Sequence, residues 1–487
     1  MSIAPTSSNS STRAKPLCVD LDGTLVATDT TVEGLLEVLK RAPWRIFALF
    51  AALLGGRPAL KRYIAQNTRI EAGDLPYRPE VLEEIRRART AGRPVLLVTA
   101  SDQSTADAVG AHLGLFDEAI GTRMDVNLKA SQKAAFLVER YGEGGFDYIG
   151  DSPADLSVWR AAGQALMVTP SKVTQRRAEA TVEKARVLVK RPNKVRAAIK
   201  ELRPHQWAKN VLLFVPLYFA HEYGQLDLVL TVLMAFFSFS FAASSIFVLN
   251  DLVDLPSDRQ HRSKRERPLA AGTLSFPEGI VLSALAFTLS MVLAVAFVNP
   301  AFVFVVLGYV ALTTAYTFSL KQKMIIDVLT LASLFTYRVM AGGVAVAIPL
   351  SEWLLAFSIF FFTSLAFVKR YSELIQIKAD GRLAIKGRNY VPADMPIIIA
   401  AGLASGFLAV LVFALYINTP AIIEYYPRHQ ILWGICLVLV YWIMRIWFLA
   451  ARDQMHDDPV LFAVKDRISL VAGAIVVVCL FAARYLG

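Results

Sequence analysis

Cysteine is scarce in this chain of 487 residues, and its scarcity excludes two kinds of site. The three cysteines, Cys18, Cys436 and Cys479, lie far apart, and two of them fall in apolar runs. Their spacing fits neither a disulfide framework nor a thiolate metal site. Charged residues are also few, at 19% against 55% hydrophobic residues, and the two kinds are unevenly distributed. Residues 1–200 have the composition of a soluble protein and residues 210–487 that of a membrane bundle, which predicts two domains.

The net charge of +11 does not indicate nucleic-acid binding. The basic residues flank apolar runs instead of forming one patch, and there they mark cytoplasmic loops and attract anionic headgroups or phosphates. No secretory signal is recognisable at the amino terminus. Residues 1–13 are polar and rich in serine, and we expect a disordered tail there.

Residues 14–182 alternate short apolar strands with helical stretches, an order that predicts a doubly wound α/β fold. The first strand runs into Asp20-Leu21-Asp22-Gly23-Thr24. Because alternate residues of a strand share a side, the carboxylates of Asp20 and Asp22 can face one metal ion and one phosphate.

Three further polar positions follow along this domain. The second strand is expected to end in the hydroxyl of Thr99, and Lys133 follows it, with Lys129 as the second choice. The third strand leads into a loop that carries Asp151 and Asp155. All of these groups are predicted at the carboxyl ends of parallel strands, where α/β folds bind ligands.

These four motifs resemble, in order and spacing, those of the haloacid-dehalogenase (HAD) phosphohydrolases. The resemblance implies that Asp20 is the nucleophile, that Asp22 is the general acid/base, and that Thr99 and Lys133 bind the phosphate. The implied Mg²⁺ site consists of Asp20, Asp22, Asp151 and Asp155. An aspartyl phosphate requires a metal ion to offset its charge and a second carboxyl group to protonate the leaving oxygen. The alternative is a structural HAD module without activity.

Residues 30–90 correspond to the small helical cap of this family. Here the segment contains an apolar run at residues 42–56, which is too short to span a membrane. Two interpretations stay open: the run forms the core of the cap, or it forms an interfacial helix that brings the site to a lipid-linked phosphate.

Residues 183–209 are rich in Lys and Arg with interleaved Val and Leu, which predicts a basic amphipathic linker on an anionic leaflet. Its end carries Arg203, Gln206, Lys209 and Asn210. This group suits an anion site, although cations and Trp207 at this place could also form an interface anchor.

Residues 210–487 are predicted to form a membrane domain. We count nine apolar segments, at about 208–222, 226–250, 277–298, 301–320, 324–348, 353–371, 395–417, 430–450 and 468–485. With the amino terminus inside, alternate loops hold nearly all of the Lys and Arg residues. This asymmetry places the soluble domain and the loop after the second segment in the cytoplasm, and it predicts an integral protein of a bacterial inner membrane.

The loop after the second segment begins with an acidic cluster, which we call the acidic motif. Its members are Asn250, Asp251, Asp254 and Asp258. The offsets of three and four residues place the three aspartates on one helix face if the helix continues, and Pro256 predicts a bend before the last of them. Converging carboxylates repel one another unless a cation lies between them, and Mg²⁺ with a phosphorylated substrate is the usual solution. The alternative is a solvated acidic loop.

The acidic motif is followed by Lys264, Arg267-Pro268-Leu269 and Gly272. Together with the nine segments, this pattern resembles the UbiA-type intramembrane prenyltransferase superfamily over about residues 200–487. The expected architecture is therefore multidomain: an α/β HAD domain with a small helical cap, then an all-α polytopic bundle of nine transmembrane helices. The resemblance implies that the acidic motif binds Mg²⁺ and a diphosphate, with Lys264 and Arg267 as phosphate ligands.

Classical UbiA members carry a second aspartate-rich motif near the sixth helix, and this chain has Lys369-Arg370-Tyr371-x-Glu373 there. Cations at this place suit a second, metal-free phosphate. The variant resembles the decaprenyl-phosphate phosphoribosyltransferase branch of the superfamily. The residues expected to bind substrate in this half of the chain are Arg203, Gln206, Lys209, Asn210, Tyr316, Lys321, Arg338, Lys369, Arg370, Tyr371 and Glu373.

Arg338 is predicted in the middle of the fifth helix. An unpaired arginine at this depth is costly, so we expect its side chain to face a cavity and to hold an anion or a carboxylate. Tyr316 and Lys321 could instead belong to the membrane interface. Asp457 and Asp458, in the last cytoplasmic loop, are more typical of helix-end charges than of ligands.

The resemblances imply a bifunctional membrane enzyme that uses Mg²⁺ in both domains. Its membrane half transfers 5-phosphoribose from phosphoribosyl diphosphate to a polyprenyl phosphate, and its HAD half then removes the 5-phosphate. The alternative reaction is prenyl transfer from a prenyl diphosphate to an aromatic acceptor. A non-enzymatic alternative is a lipid-phosphate carrier with a regulatory soluble domain. A homo-oligomer is compatible with the sequence.

Overall fold

The computed structural model describes residues 14–487 except 57–59, 61–62, 65, 69–70, 123–127, 129, 262, 380–387, 456–457 and 486–487. The predicted tail at residues 1–13, Lys129 and Asp457 lie outside the described residues. The chain divides into two compact units. The first unit comprises Met1–Glu201 and Asp251–Ile280, and the second unit comprises Leu202–Asn250 and Val281–Gly487. The three aspartates of the acidic motif thus belong to the same unit as the α/β domain.

A parallel six-stranded sheet forms the centre of the first unit, with strand order β3-β2-β1-β4-β5-β6. The strands are β1 Leu17–Val19, β2 Val95–Asp102, β3 Glu118–Thr122, β4 Asp147–Gly150, β5 Gln164–Val168 and β6 Ala185–Val189. The central strand β1 pairs Leu17 with Val95 on one side and with Asp147 on the other. This order confirms the doubly wound α/β prediction and brings the carboxyl ends of β1, β2 and β4 together.

Helices cover both faces of this sheet, and on each face an apolar core forms between the sheet and the helices. The helices that contribute to these cores are Pro79–Thr90, Gln103–Leu113, Ser131–Tyr141, Leu156–Ala161 and Lys172–Thr181, while Thr30–Arg41 and Ile46–Leu54 belong to the cap and Lys194–Glu201 follows the last strand. Strand β1 is buried on both faces, as an almost uninterrupted apolar run predicts for a central parallel strand.

The structure corrects two sequence expectations for this unit. Strand β2 continues past Thr99 to Asp102, so its last inward-facing hydroxyl belongs to Ser101. The predicted basic linker at residues 183–209 is not a separate segment: it contains strand β6 and helix Lys194–Glu201. Its alternation of cations with Val and Leu fits an edge strand, where exposed charges prevent further pairing.

The cap lies between β1 and β2. Helices Thr30–Arg41 and Ile46–Leu54 share a small core of Val38, Leu49 and Ile64. The apolar run at residues 42–56 thus contributes Leu49 to a core, while several of its other large side chains are exposed.

Among the described residues, eight helices are long and apolar enough to cross a membrane. They are Leu226–Val253, Phe276–Phe297, Pro300–Phe318, Ile326–Ala345, Glu352–Ala379, Pro392–Ile417, His429–Ala451 and Arg467–Tyr485. The chain is therefore an integral membrane protein. The remaining expected segment, at about 208–222, forms the 3-10 helix Pro204–Phe214 and the short helix Val215–Phe219, so a count of nine long helices is not confirmed.

The bend predicted within the acidic motif is confirmed. Helix Leu226–Val253 ends before Asp254, and a separate short helix, Leu255–Gln260, carries Pro256 in its first turn. Proline is tolerated there because the first N–H groups of a helix have no partner within that helix.

Candidate functional sites

Asp20 lies at the carboxyl end of β1 and contacts a buried cation. The ammonium of Lys133 donates to Asp20 Oδ1 at 2.9 Å and to the hydroxyl oxygen of Tyr148 at 2.8 Å. The Tyr148 hydroxyl in turn donates to Asp155 Oδ1 at 3.0 Å. The structure thus brings Asp20, Lys133 and Asp155 together as predicted, and it adds Tyr148, which the sequence did not single out.

Asp22 is held by the first residues of the cap. Its Oδ1 accepts from the backbone N–H of Thr30 at 2.7 Å, and its Oδ2 accepts from the Ser101 hydroxyl at 2.5 Å. The predicted phosphate ligand Thr99 is fully buried, and its hydroxyl oxygen accepts from the Ser101 N–H at 3.0 Å. Ser101 is therefore the hydroxyl beside Asp22. The sequence would have indicated Ser101 if the predicted second strand had been two residues longer.

The turn after Asp22 requires glycine. Gly23 has φ +72°, and a Cβ added there would lie 2.3 Å from Asp151 Oδ2. On the other side, Asp155 Oδ2 accepts from the N–H groups of Asp151 and Ser152, at 3.2 and 3.0 Å. Asp155 thereby fixes the loop that presents Asp151 to the site.

Lys133 offsets only part of the repulsion among these carboxylates. Burial, and next the charges of Asp155 and Asp20, raise the pKa of Asp151 to about 8. Burial raises the pKa of Asp20 to about 6, although Lys133 acts in the opposite direction. Oxygens of Asp20, Asp151 and Asp155 lie within 4.8 Å of one another. A compact set of hard oxygen donors that repel one another fits a divalent cation such as Mg²⁺.

Two aspartates of the acidic motif share one arginine from the same loop. Nη1 of Arg267 lies 3.0 Å from Asp251 Oδ1 and 2.5 Å from Asp258 Oδ2. Lys264 Nζ lies 3.7 Å from Asp258 Oδ1, and Asp254 is half-buried between the two helices of the motif. The structure therefore groups the predicted phosphate ligands Lys264 and Arg267 with the acidic residues.

In the second unit, two predicted phosphate ligands meet at one carboxylate. Lys209 Nζ and Lys369 Nζ lie 3.0 and 3.1 Å from the same oxygen, Asp458 Oδ2. The other oxygen of Asp458 accepts from the N–H of Val460 and caps helix Pro459–Lys465, in agreement with the helix-end expectation. The three side chains together carry one excess positive charge. We call them the lysine pair site.

An apolar cavity of about 360 Å³ lies in the same unit. Leu212, Phe357, Phe361 and Phe362 are among the side chains that line it. The ring of Phe362 stacks on Phe335 at 5.0 Å, and Lys209 Nζ lies 5.8 Å from the centre of the Phe335 ring. The lysine pair site thus contacts the lining of the cavity through the stacked rings of Phe335 and Phe362.

Arg370 and Asp327 are fully buried and form the centre of a network that also includes the partly buried Tyr316 and Glu373. Its Nε donates to Asp327 Oδ2 at 2.5 Å and its Nη1 to Glu373 at 2.6 Å. The hydroxyl of Tyr316 donates to Asp327 Oδ1 at 2.8 Å and accepts from Arg370 Nη2 at 3.1 Å. Tyr316, Arg370 and Glu373 are among the residues expected to bind substrate, whereas Asp327 was not singled out from the sequence. A lone carboxylate at the start of an apolar helix was the available signal.

Arg338 faces the protein interior, as expected, but its hydrogen bonds go to neutral groups. It donates to Asn210 Oδ1 and to the Tyr309 hydroxyl oxygen, both at 2.9 Å, and to the carbonyl of Leu334. Its guanidinium also lies over the rings of Phe239, Tyr309 and Phe335. Such contacts offset part of the cost of burying its charge.

Contacts of other kinds involve three of the remaining predicted ligands. The Arg203 guanidinium lies over the ring of Phe247, and the Asn250 amide donates to Thr317 at 3.3 Å. Tyr371 packs on Trp447. Gln206 and Lys321 are half-buried.

Comparison with known proteins agrees with both halves of this description. A family model described as UbiA prenyltransferase family matches residues 210–482. A second one, described as haloacid dehalogenase-like hydrolase, matches residues 17–160. Strands β1–β4 fall within the second range and β5 and β6 lie just beyond it, while the long membrane helices fall within the first range except for the end of Arg467–Tyr485.

Three relatives are informative. "Uncharacterized protein y4nM" of Sinorhizobium fredii is 38% identical over 95% of this chain and 90% of that protein. "Nodulation protein NoeC" of Azorhizobium caulinodans is 36% identical over 55% of this chain and 87% of that protein. "Decaprenyl-phosphate phosphoribosyltransferase" of Mycobacterium tuberculosis is 38% identical over 37% of this chain and 61% of that protein. With more than half of its length matched by one family model, the chain belongs to the UbiA prenyltransferase family and carries a HAD-like domain before its membrane half.

Proposed function

We propose that this protein is a bifunctional membrane enzyme. Its UbiA half transfers 5-phosphoribose from phosphoribosyl diphosphate to a polyprenyl phosphate, and its HAD half removes the 5-phosphate of the lipid product. The likeness to decaprenyl-phosphate phosphoribosyltransferases supports this reaction class. The observation that carries the proposal is the lysine pair site beside the apolar cavity.

The lysine pair site suits the phosphate of the lipid acceptor. Lys209 and Lys369 share one carboxylate, so a phosphate monoester, with up to two negative charges, would find two cations with one excess charge. Lys209 contacts the ring of Phe335, which stacks on Phe362, and Phe362 lines the cavity of about 360 Å³. An isoprenoid chain requires an apolar volume of this kind close to its charged head.

The acidic motif suits the diphosphate donor. Asp251 and Asp258 flank Arg267, and Asp254 lies between them in sequence. Mg²⁺ bound by these carboxylates would neutralise the diphosphate and make it a better leaving group. Arg267 and Lys264 would then contact phosphate oxygens. A lipid-phosphate oxygen forms the new bond to C1 of the ribose, and the bond from C1 to the diphosphate breaks.

The alternative reaction, prenyl transfer to an aromatic acceptor, is disfavoured by the groups around Lys369. A developing allylic cation is stabilised by carboxylates, and here the position carries Lys369 and Arg370. Arg370 already donates to Asp327 and Glu373. We propose that Arg370 positions the helix that carries Lys369. Its predicted direct contact with phosphate would require the buried network to open.

The HAD site suits hydrolysis of a phosphate monoester. Asp20 would attack phosphorus, and Asp22, oriented by Thr30 and Ser101, would protonate the leaving 5-oxygen of the ribose. Lys133 would offset charge on the phosphoryl oxygens. Water then hydrolyses the aspartyl phosphate, with Asp22 as the base. Mg²⁺ held by Asp20, Asp151 and Asp155 would neutralise the phosphoryl group.

We propose nine membrane crossings with the first unit in the cytoplasm. The carboxylate of Glu201 accepts from the N–H of Leu269, which belongs to the loop that follows helix Leu226–Val253. Residue 202 therefore starts on the side of the membrane at which that helix ends. A further crossing is therefore required between residues 202 and 225. The 3-10 helix Pro204–Phe214 and helix Val215–Phe219 together span about 30 Å, the thickness of the hydrocarbon core. The Lys and Arg content of the loops supports this orientation. The bacterial origin of the relatives supports a bacterial inner membrane.

Purified protein tests the two reactions separately. With phosphoribosyl diphosphate, a polyprenyl phosphate and Mg²⁺, we expect release of both diphosphate and phosphate, and mass spectrometry should identify polyprenyl-phosphoryl-ribose. Asp254→Asn should lose diphosphate release. Asp20→Asn should lose phosphate release and accumulate the 5-phosphorylated lipid. Continued phosphate release by Asp20→Asn would refute the division of labour. If the wild type released neither product and its function in cells survived Asp254→Asn, the lipid-carrier alternative would be supported instead.

A further inference from the structure

The cap carries an exposed apolar helix. Helix Ile46–Leu54 contains no charged residue, and its Leu49 side chain is buried in the core of the cap. Phe47 is 80% exposed and Phe50 is 66% exposed, and Trp44, just before the helix, is 71% exposed. Aromatic side chains at this level of exposure are unfavourable in water and typical of a surface that meets another apolar phase.

The cap is attached to the part of the first unit that adjoins the membrane. The two terminal nitrogens of Arg259 donate to the two oxygens of Glu33, at 2.9 and 2.7 Å, and both side chains are largely buried. Gln260 donates to Asp74 at 2.8 Å. Arg259 and Gln260 belong to the segment Asp251–Ile280, which connects the membrane helices Leu226–Val253 and Phe276–Phe297.

A close backbone approach fixes the same contact. Gly272 has φ +68°, and a Cβ added there would lie 2.3 Å from the carbonyl oxygen of Ala27. Ala27 immediately precedes the cap. Because the segment Asp251–Ile280 is limited by two membrane helices, it lies at the bilayer surface. The cap is therefore held near the headgroups.

We propose that Trp44, Phe47, Phe50 and Leu54 insert into the lipid interface, so that the HAD site acts on a phosphate carried by a lipid of the same leaflet. The occupant of the exposed face is then the bilayer. This inference rests on the proposed phosphatase function and deepens it, because it identifies the surface that brings the HAD site to its lipid-linked substrate. A soluble sugar phosphate would gain nothing from this surface.

Tryptophan quenching tests the insertion without reference to activity. The full chain is reconstituted in phosphatidylglycerol vesicles with lipids brominated at different depths along the acyl chain. Because other tryptophans contribute, the signal of Trp44 is taken as the difference between the wild type and Trp44→Phe. We expect this difference to be quenched most by bromine at shallow depth. An unquenched difference would overturn the proposal and would favour a second copy or another protein as the partner.

A substrate comparison tests the consequence for catalysis. We expect the double variant Phe47→Ser/Phe50→Ser to hydrolyse the 5-phosphorylated polyprenyl lipid in vesicles about tenfold more slowly. Its hydrolysis of soluble p-nitrophenyl phosphate should stay within about twofold of the wild type, because neither side chain contacts the carboxylates of the site. Val173→Ser, which changes an exposed apolar residue on another helix of the same unit, is the matched control.

The outcomes separate this inference from the proposed function. If the wild type hydrolyses neither substrate, the phosphatase proposal fails, while the quenching result still decides whether the cap meets lipid. If the double variant loses both activities equally, the cap helix has no special role with lipid substrates. If it retains both, the surface is not needed for substrate access. Each of these last two results overturns the inference.

Discussion

Replacing Glu33 by Gln keeps the shape of the side chain but removes the charge that faces Arg259. In the structure, both oxygens of Glu33 accept from Arg259, and Oε1 also accepts from the Thr28 hydroxyl at 2.6 Å. The side chains are 11% and 8% exposed. Loss of one partner from a buried ion pair costs about 3–5 kcal/mol, and the partial exposure of this pair places it near the lower limit, at about 3 kcal/mol.

This free energy is lost from the contact that holds the segment Asp251–Ile280 to the cap. A loss of about 3 kcal/mol raises the population of the locally open state roughly a hundredfold. In hydrogen–deuterium exchange followed by mass spectrometry, amides of this segment that exchange by local opening should therefore exchange about a hundredfold faster in Glu33→Gln. Because the segment carries Asp251 and Asp258, we also expect slower diphosphate release and a higher KM for phosphoribosyl diphosphate.

Two variants make this prediction specific. Glu83→Gln removes a charge from an exposed pair with Arg87 in the same unit, and we expect little change there. The exchanged pair Glu33→Arg/Arg259→Glu should recover most of the protection. Our reasoning is refuted if the segment exchanges at the same rate in Glu33→Gln as in Glu83→Gln.

Three further predictions concern single groups. Because the pKa of Asp151 is raised to about 8, Mg²⁺ binding at the HAD site should strengthen between about pH 6 and pH 8 and should release protons, as calorimetry in buffers of different ionisation enthalpy can detect. Asp327→Asn leaves Arg370 buried without its closest carboxylate and should cost about 3–5 kcal/mol, measured as a lower Tm. Lys369→Ala should raise the KM for polyprenyl phosphate severalfold, by about 1 kcal/mol, and leave that for phosphoribosyl diphosphate unchanged.

A specific result would contradict each of these three predictions. Mg²⁺ binding without proton uptake by the buffer would show that the carboxylates are already ionised. The sign for stability follows from the same raised pKa: without metal, the free energy of unfolding should fall as the pH rises from about 4 to about 8. An unchanged Tm for Asp327→Asn would indicate that Arg370 finds another partner. Equal effects of Lys369→Ala on both KM values would contradict a site for the lipid phosphate alone.

The α/β domain was predictable because its chemistry follows from strand order. Asp20 and Asp151 follow the carboxyl ends of parallel strands, and a parallel sheet brings those ends to one edge. Lys133 reaches the same edge from the first turn of helix Ser131–Tyr141. The exact end of a strand is less certain from sequence, since Thr99 and Ser101 both carry a hydroxyl on the same side. Only the register of β2 with its neighbours places Ser101 beside Asp22.

The membrane half was less predictable for a physical reason. Hydropathy identifies helices but does not determine which polar side chains meet across them. Asp327 and Asp458 each form ion pairs with cations that were predicted as ligands. No residue next to either aspartate in the sequence indicates this pairing. The segment before the first long helix combines cations with apolar residues, and its 3-10 geometry depends on contacts such as that of Trp207 with Ser244.

The contact of Gly272 with Ala27 has a consequence for how this chain can be divided. Leu269, Ala270 and Leu274 are buried in the loop that surrounds Gly272. A polypeptide starting at residue 202 would keep every long apolar helix and still leave this loop without the surface that covers it. The reverse truncation, ending at residue 201, would expose the Glu33 carboxylate. Splitting the gene at the apparent domain boundary should therefore yield two incomplete halves, which would have to be produced together to be assayed.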